Sequence, residues 1–260
     1  MITMLPIKIF YHVYIPPDIR ASMYVWYIDQ QLQLIKQSGL QQLATVHMCV
    51  TMPAWWTSIF GTPIVSNTTR QLICFQDKLT EYVQTRYPWV TIEQVLDISQ
   101  NTFEGNTLQQ LWHYSQHEDF LALYIHTKGW NSQSECVSAW RELLNYWHIQ
   151  QWCYMIKYLN KYDVVGINDV LTHDKQMLSG NFFWTTSKYV RLLADPQNIP
   201  AYTPDPSHLP GADHHRFAYE LWILSNHPQV HYVLDLNIQP YDQYCFVEDN
   251  CQSPCNIASS

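Results

Sequence analysis

The apolar residues of this chain fall into short runs that alternate with longer stretches of helical spacing. Residues 7–14, IKIFYHVY, predict a first strand that Pro16 and Pro17 close. Within 21–38, Met23, Trp26, Tyr27, Leu34 and Ile35 partly follow helical spacing, and Gly39 stands where a C-cap glycine belongs. Residues 44–52, ATVHMCVTM, predict a second strand ended by Pro53. A second helix follows over 70–86, with Leu72, Phe75, Leu79 and Val83 at spacings of three and four. WVTIEQVL then supplies a third strand, TLQQLWHYSQ a third helix and LALYIH a fourth strand. A helix from about Val137 to Lys161 carries Trp140, Leu143, Leu144, Trp147, Ile156 and Leu159 as its buried stripe. DVVGIND is a fifth strand, and GNFFWTTSKYVRLL is a sixth that leads into a helix. After a Pro-, Asp- and Ser-rich loop over 194–212, HHRFAYELWILSNH forms a helix and VHYVLDLNI a last strand. Residues 251–260 are expected to be a flexible tail.

This alternation predicts an α/β chain with a mostly parallel central sheet and crossover helices. Ligands of such sheets sit outside the carboxyl ends of the strands, which is where His126, Thr127, Lys128 and Gly129 follow the apolar run LALYI. The 260 residues, 47% of them hydrophobic, suffice for a sizeable core. Fourteen Lys and Arg against 22 Asp and Glu give a net charge of -8, which repels nucleic acid and anionic lipid. Any phosphate site is therefore local. Seven cysteines at irregular spacing are no disulfide framework, and Cys251 with Cys255 is half a zinc motif at most. The first residues read as a strand and not as a signal peptide, and no apolar run of about 18 residues could span a membrane. A soluble protein of the reducing cytoplasm is expected.

Four polar clusters punctuate the strand ends. His126, Thr127 and Lys128, with Arg141 beyond them, could neutralise a diphosphate, or could be an ordinary polar loop. In NTFEGNTLQQLW, Thr107 reads as a helix cap. Asn101 and Glu104 could bind sugar or ribose hydroxyls, and Glu104 could equally be only a helix-start carboxylate. In LSGNFFWTTSKYV, Gly180 at a strand start would let a ligand approach, Asn181 offers a donor and an acceptor, and Trp184 offers a stacking face; the alternative is that the aromatics are core. In GADHHRFAYELW, Asp213, His214, His215 and Glu220 are candidate bases or metal ligands, and Glu220 between Tyr219 and Trp222 should be partly buried. His113 and His117, four apart on a helix, lack a third ligand, and no GxSxG elbow, P-loop or dinucleotide fingerprint occurs.

Taken together, YIHTKG, AWRELL, SGNFFWTTSKYVRLL and the distal FAYELW resemble the rhamnan synthesis protein F type glycosyltransferases and related bacterial and giant-virus sugar transferases. FYHVY and NTFEGNTL also look like that family's first strand and its Asn-Gly-Asp-like segment, with Glu104 where the family often has Asp. The resemblance spans roughly residues 7–225 and is most specific in the pairing of His-Thr-Lys with Trp-Arg.

The resemblance implies a GT-A-like single domain over 1–250, with a nucleotide-sugar-binding half over 7–130 and an acceptor-side half over 131–250. It implies transfer of a hexosyl or deoxyhexosyl group from a nucleotide-sugar donor to a growing polysaccharide or glycan. His126, Thr127, Lys128, Arg141, Asn101 and Glu104 would then hold the donor, and Gly180, Asn181 and Trp184 would face the acceptor. Lys128 would compensate leaving-group charge, while Glu220, or failing it Asp213, would take the acceptor proton. A divalent metal, Mn or Mg, would be a companion of the diphosphate, but no Asp-x-Asp motif follows a strand. An inactive sugar-binding relative and a metal-dependent hydrolase built on the His-rich loops are the competing readings.

Overall fold

The computed structural model describes residues 5–15, 21–52, 79–97, 103–127, 135–169, 177–199 and 214–236. Strands β1 (Ile7–Tyr14), β2 (Ala44–Met52), β3 (Val90–Asp97), β4 (Leu121–His126), β5 (Val164–Asp169), β6 (Met177–Thr186) and β7 (Val230–Leu236) form one sheet. Their spatial order is β3-β2-β1-β4-β6-β5-β7. β6 runs antiparallel to its neighbours β4 and β5, and every other pairing is parallel. The chain thus has the α/β class and mostly parallel sheet that the alternation predicts; the reversed sixth strand was not foreseen.

Alternate residues of each strand face opposite sides, and both sides are covered. On one, Ile9, Tyr11 and Val13 of β1 and Phe182 and Trp184 of β6 pack against α1 (Ala21–Gln37), α2 (79–86) and the helical run that opens with α4 (Glu135–Asn145). On the other, Phe10, Tyr124 and Phe183 pack against α3 (Gly105–His117), α6 (Ser187–Val190) and α7 (His214–Trp222). This double cover explains why β1, β2 and β4 read as nearly unbroken apolar runs. Trp26, expected inside α1, is 55% exposed, and the buried face of that helix is Tyr27, Ile28, Leu32 and Ile35.

The long helix expected from Val137 to Lys161 is broken. α4 passes into a π-turn at Tyr146–Gln150, then α5 (Trp152–Ile156) and a 3-10 turn at Lys157–Asn160. At the π-turn the fully buried His148 binds Leu144 O through Nδ1 (2.9 Å), and its own carbonyl accepts from Trp184 Nε1 (2.9 Å). A side chain from the sheet thereby captures a helix carbonyl, which is a known cause of such interruptions. Cys153 in α5 is disulfide-bonded, against the expectation of free thiols in a reducing compartment; Cys49 and Cys136 are free. No described helix is long and apolar enough to cross a membrane.

Among the described residues, two glycines have left-handed backbone for different reasons. Gly39 (φ 76) ends α1 in open space, whereas Gly180 (φ 59) lies inside β6, where a Cβ would meet Leu144 Cδ1 at 2.5 Å. Gly180 is therefore not the strand start that its sequence context suggested. Gly39→Ala should cost about 1–2 kcal/mol from the backbone alone. Gly180→Ala should add ~1–3 kcal/mol of overpacking to that. Urea midpoints of the two variants measure the difference, and equal losses would contradict it.

Candidate functional site

The strand order turns back on itself between β1 and β4: the chain leaves β1 toward β2 and β3, then returns to pair β4 on the other edge of β1. In open α/β sheets the crevice at this point, at the carboxyl ends of the strands, is the ligand site. The residues there form a row. His12 of β1 is in register with Cys49 of β2 on one side and with His126 of β4 on the other. His12, Cys49 and His126 are all buried.

Two further elements, α3 and β6, close onto this row. Glu104 occupies the N-cap position of α3 without a side-chain capping bond and is only 7% exposed, with Oε1 3.6 Å from His126 Nε2. Asn181 of β6 donates through Nδ2 to Glu104 Oε2. His126 Nε2 makes a 2.6 Å hydrogen bond to Gly180 O, and because a carbonyl only accepts, Nε2 carries the proton. Thr107 is not the helix cap that its position suggested. It lies inside α3, fully buried, and its hydroxyl pairs with His12 Nδ1 at 3.0 Å.

Backbone strain is concentrated on this contact. Gly180 and Asn181 (φ 54) are consecutive left-handed residues inside a strand, and Phe103 (φ 49), next to Glu104, is left-handed too. A bulky residue in that region costs of order 1–3 kcal/mol, and such strain clusters at functional sites. Here it turns Gly180 O toward His126 and the Asn181 amide toward Glu104. Burial pushes the His12 imidazole down to about 4, with Glu104 pulling it up and His126 pushing it further down. Tyr124, also fully buried, has its phenol pushed well up by burial and by the charges of Glu104 and, more weakly, Glu220. Glu220, 8% exposed on α7, thus lies within electrostatic reach of the same phenol as Glu104.

A surface pocket lies beside the start of α3. It has a volume of ≈ 250 Å³ and is lined by Gly105, Asn106, Pro196, Gln197 and Tyr219. The Tyr219 ring rests where a Cβ on Gly105 would lie, with Cζ at 2.6 Å, so a larger residue at 105 would displace that ring. Gly105 and Tyr219 are the sequence neighbours of Glu104 and Glu220.

A family model described as a domain of unknown function, DUF8361, matches residues 10–233, a span that contains this whole site. The chain belongs to the DUF8361 family. No curated protein matches it. Among solved structures it is similar to a provisionally assigned nucleotide-diphospho-sugar transferase from Desulfovibrio desulfuricans G20, at 10% identity and a TM-score of 0.41 over 89% of this chain and 81% of that one. It is also similar to HddC from Yersinia pseudotuberculosis, at 10% identity and a TM-score of 0.39 over 89% of this chain and 91% of that one.

The candidates read from the sequence separate in this DUF8361 structure. His126, Glu104, Gly180 and Asn181 converge, and Glu220 stands close by. Thr127 ties strand ends together: its hydroxyl accepts from Tyr14 N (3.1 Å) and its amide donates to His12 O (3.1 Å). Arg141 is buried on the other side of the sheet, with its guanidinium 4.5 Å from the Tyr27 ring centroid. One helical turn from that pair, Gln31 donates to Asn145 Oδ1 (3.1 Å) and to His126 O (3.4 Å), so both sides of the sheet meet the end of β4. Trp184 is fully buried core with its N–H on His148 O, which corrects the expectation of a stacking face. Lys128, Asn101 and Asp213 lie outside the described residues, as do the 251–260 tail and the side chains of His214 and His215. Among the described residues no group of three or more His, Cys, Asp or Glu side chains is placed to hold a metal ion. Sequence reading missed His12, although HVY closes the first strand as IHT closes the fourth; equal position on paired strands is the signal.

His12 and His148 are both lowered to about 4 by burial. Their ordinary value of about 6.5 in the unfolded chain means that the unfolded state binds more protons between these limits. Stability should therefore be full above about pH 6.5 and fall as the pH drops toward 4, by at most roughly 3 kcal/mol per histidine. Urea unfolding from pH 7.5 to 4 checks this, and a His12→Gln variant should flatten the slope.

Proposed function

We propose that the chain is a GT-A-like glycosyltransferase that moves a hexosyl or deoxyhexosyl group from a nucleotide-sugar donor to a hydroxyl of a polysaccharide or glycan. The observation that carries this reading is the convergence of His12, His126, Glu104 and Asn181 at the turning point of a mostly parallel sheet, beside a solvent-accessible pocket. The motif resemblance supplies the reaction class, and the convergence of its Glu104, His126 and Gly180-Asn181 segments supports it.

In this reading residues 7–130 form the donor half and 131–250 the acceptor half. Glu104, anchored by Asn181, accepts from a donor hydroxyl together with Asn101, while Lys128 offsets the charge on the diphosphate; Arg141, buried against Tyr27 on the other face of the sheet, takes no part. The acceptor oxygen attacks the anomeric carbon, the bond to the diphosphate breaks, and the acceptor proton passes to Glu220, with Asp213 as the alternative base. A divalent metal bound to the diphosphate would add to the same charge compensation.

Three measurements test the proposal. A nucleoside diphosphate at 100 times its dissociation constant should stabilise the protein by about 2.7 kcal/mol, read as a rise in melting temperature across a nucleotide series. Glu220→Gln should keep donor affinity and lose roughly 10²-fold or more of the transfer rate. Lys128→Ala should lower turnover more than it weakens nucleoside binding. Native transfer by Glu220→Gln would remove that residue as the base, and a chain that binds no nucleotide of the series would end the reading.

A further inference from the structure

At the opposite, amino-terminal end of the sheet stands a second polar assembly that the transferase reading does not use. His47 of β2 makes a 2.7 Å hydrogen bond from Nδ1 to Glu93 Oε1 and a 2.9 Å hydrogen bond from Nε2 to Thr45 Oγ1. A carboxylate only accepts, so the ring proton sits on Nδ1, and Nε2 of the neutral imidazole accepts from the threonine hydroxyl. This is a hydroxyl, a base and an orienting carboxylate in series, an arrangement that serves to activate nucleophiles on several unrelated folds.

Each member is held in place. The His47 ring stacks on Phe10 (5.4 Å between centroids, 20° between planes) and abuts Tyr114 (4.6 Å). Glu93 owes its direction to a bulge. β2 pairs Met48 with Ile92 but Cys49 with Gln94, so Glu93 is the extra residue of β3, and bulges of this kind re-aim a side chain. Tyr114 donates a second hydrogen bond to the same Glu93 oxygen at 3.0 Å. Burial lowers the pKa of His47, which keeps the ring neutral and able to accept a proton. Thr45, by contrast, is exposed. Lys8 of β1 is the in-register partner of Thr45, and its Nζ lies 4.7 Å from the Tyr114 ring centroid and 3.2 Å from Glu118.

We propose that Thr45 is an acyl-accepting nucleophile, with His47 as its base, Glu93 as the residue that orients His47, and Lys8 as the cation facing the developing oxyanion. The substrates it suits are small activated acyl esters or thioesters that reach an open surface. Thr45 Oγ attacks the acyl carbon while its proton passes to His47 Nε2. The carbonyl electron pair moves onto oxygen beside Lys8, and its return expels the alcohol or thiol, which takes the proton from His47. Water repeats the sequence on the acyl-threonine, releasing the carboxylic acid and restoring Thr45. The proposal is independent of the transferase reading, since it shares no residue with that site.

The experiment is incubation of the full chain with p-nitrophenyl acetate, following nitrophenolate release and mapping acetyl groups by peptide mass spectrometry. A single acetyl on Thr45 is expected, lost in Thr45→Ala and kept in Thr45→Ser. His47→Gln and Glu93→Gln should slow release, the former by about 10²-fold. Because Thr45 is exposed, Thr45→Ala should fold normally by circular dichroism even if the His47 variant does not. Absence of acetyl-Thr45 in the native protein would overturn the proposal, and so would equal release by Thr45→Ala, which would mark acetylation of surface lysines instead.

Discussion

A carboxylate withdrawn from water must be given hydrogen bonds or opposing charge, since leaving it bare costs several kcal/mol. Glu104 is that carboxylate here. It sits over the ends of β1 and β4, and the features around it are the means by which it is satisfied. Asn181 supplies an amide, His126 an imidazole, and the left-handed pair Gly180-Asn181 the bend that brings β6 within reach. Because Gly180 must also fit against Leu144 of α4, the packing on one side of the sheet supports the polar cluster on the other.

The sheet topology makes this convergence possible. Pairing of β1 with β4 sets His12 beside His126 across a separation of more than a hundred residues, and the N-terminus of α3 descends onto them from the same side. The antiparallel β6 then runs alongside β4 and presents its kinked middle, not its end, to the strand termini. A parallel strand in that place would enter from the other end and bring different residues to the row.

The same rules produce an assembly of opposite character at the other end of the sheet. There His47 and Glu93 satisfy one another, and the hydroxyl left over belongs to an exposed residue. At the carboxyl end, His12, His126, Glu104 and Asn181 are buried, and a pocket lined by Gly105 and Tyr219 lies beside the start of α3. Burial lowers the pKa of both His12 and His47, but the partners differ. His12 is held by a buried threonine next to a second histidine, and His47 lies between a carboxylate and an open hydroxyl.

The sequence by itself determined the element order, the parallel-rich α/β class and the strand ends at which polar residues gather. Periodicity and breaker residues are local, and β1 and β2 end where Pro16 and Pro53 foretold. It also marked Glu104, His126, Gly180 and Asn181, because polar residues closing apolar runs are visible without a fold. Three things were decided only by tertiary structure. The broken helix after β4 depends on a hydrogen bond from Trp184, which lies 36 residues beyond His148. Thr107 became a partner of His12 and Trp184 became core because those roles depend on which faces meet, and the local pattern of a helix start or a strand does not encode that. His12, finally, acquired its meaning only when β4 came to lie beside β1, since register between distant strands is set by packing on both faces at once.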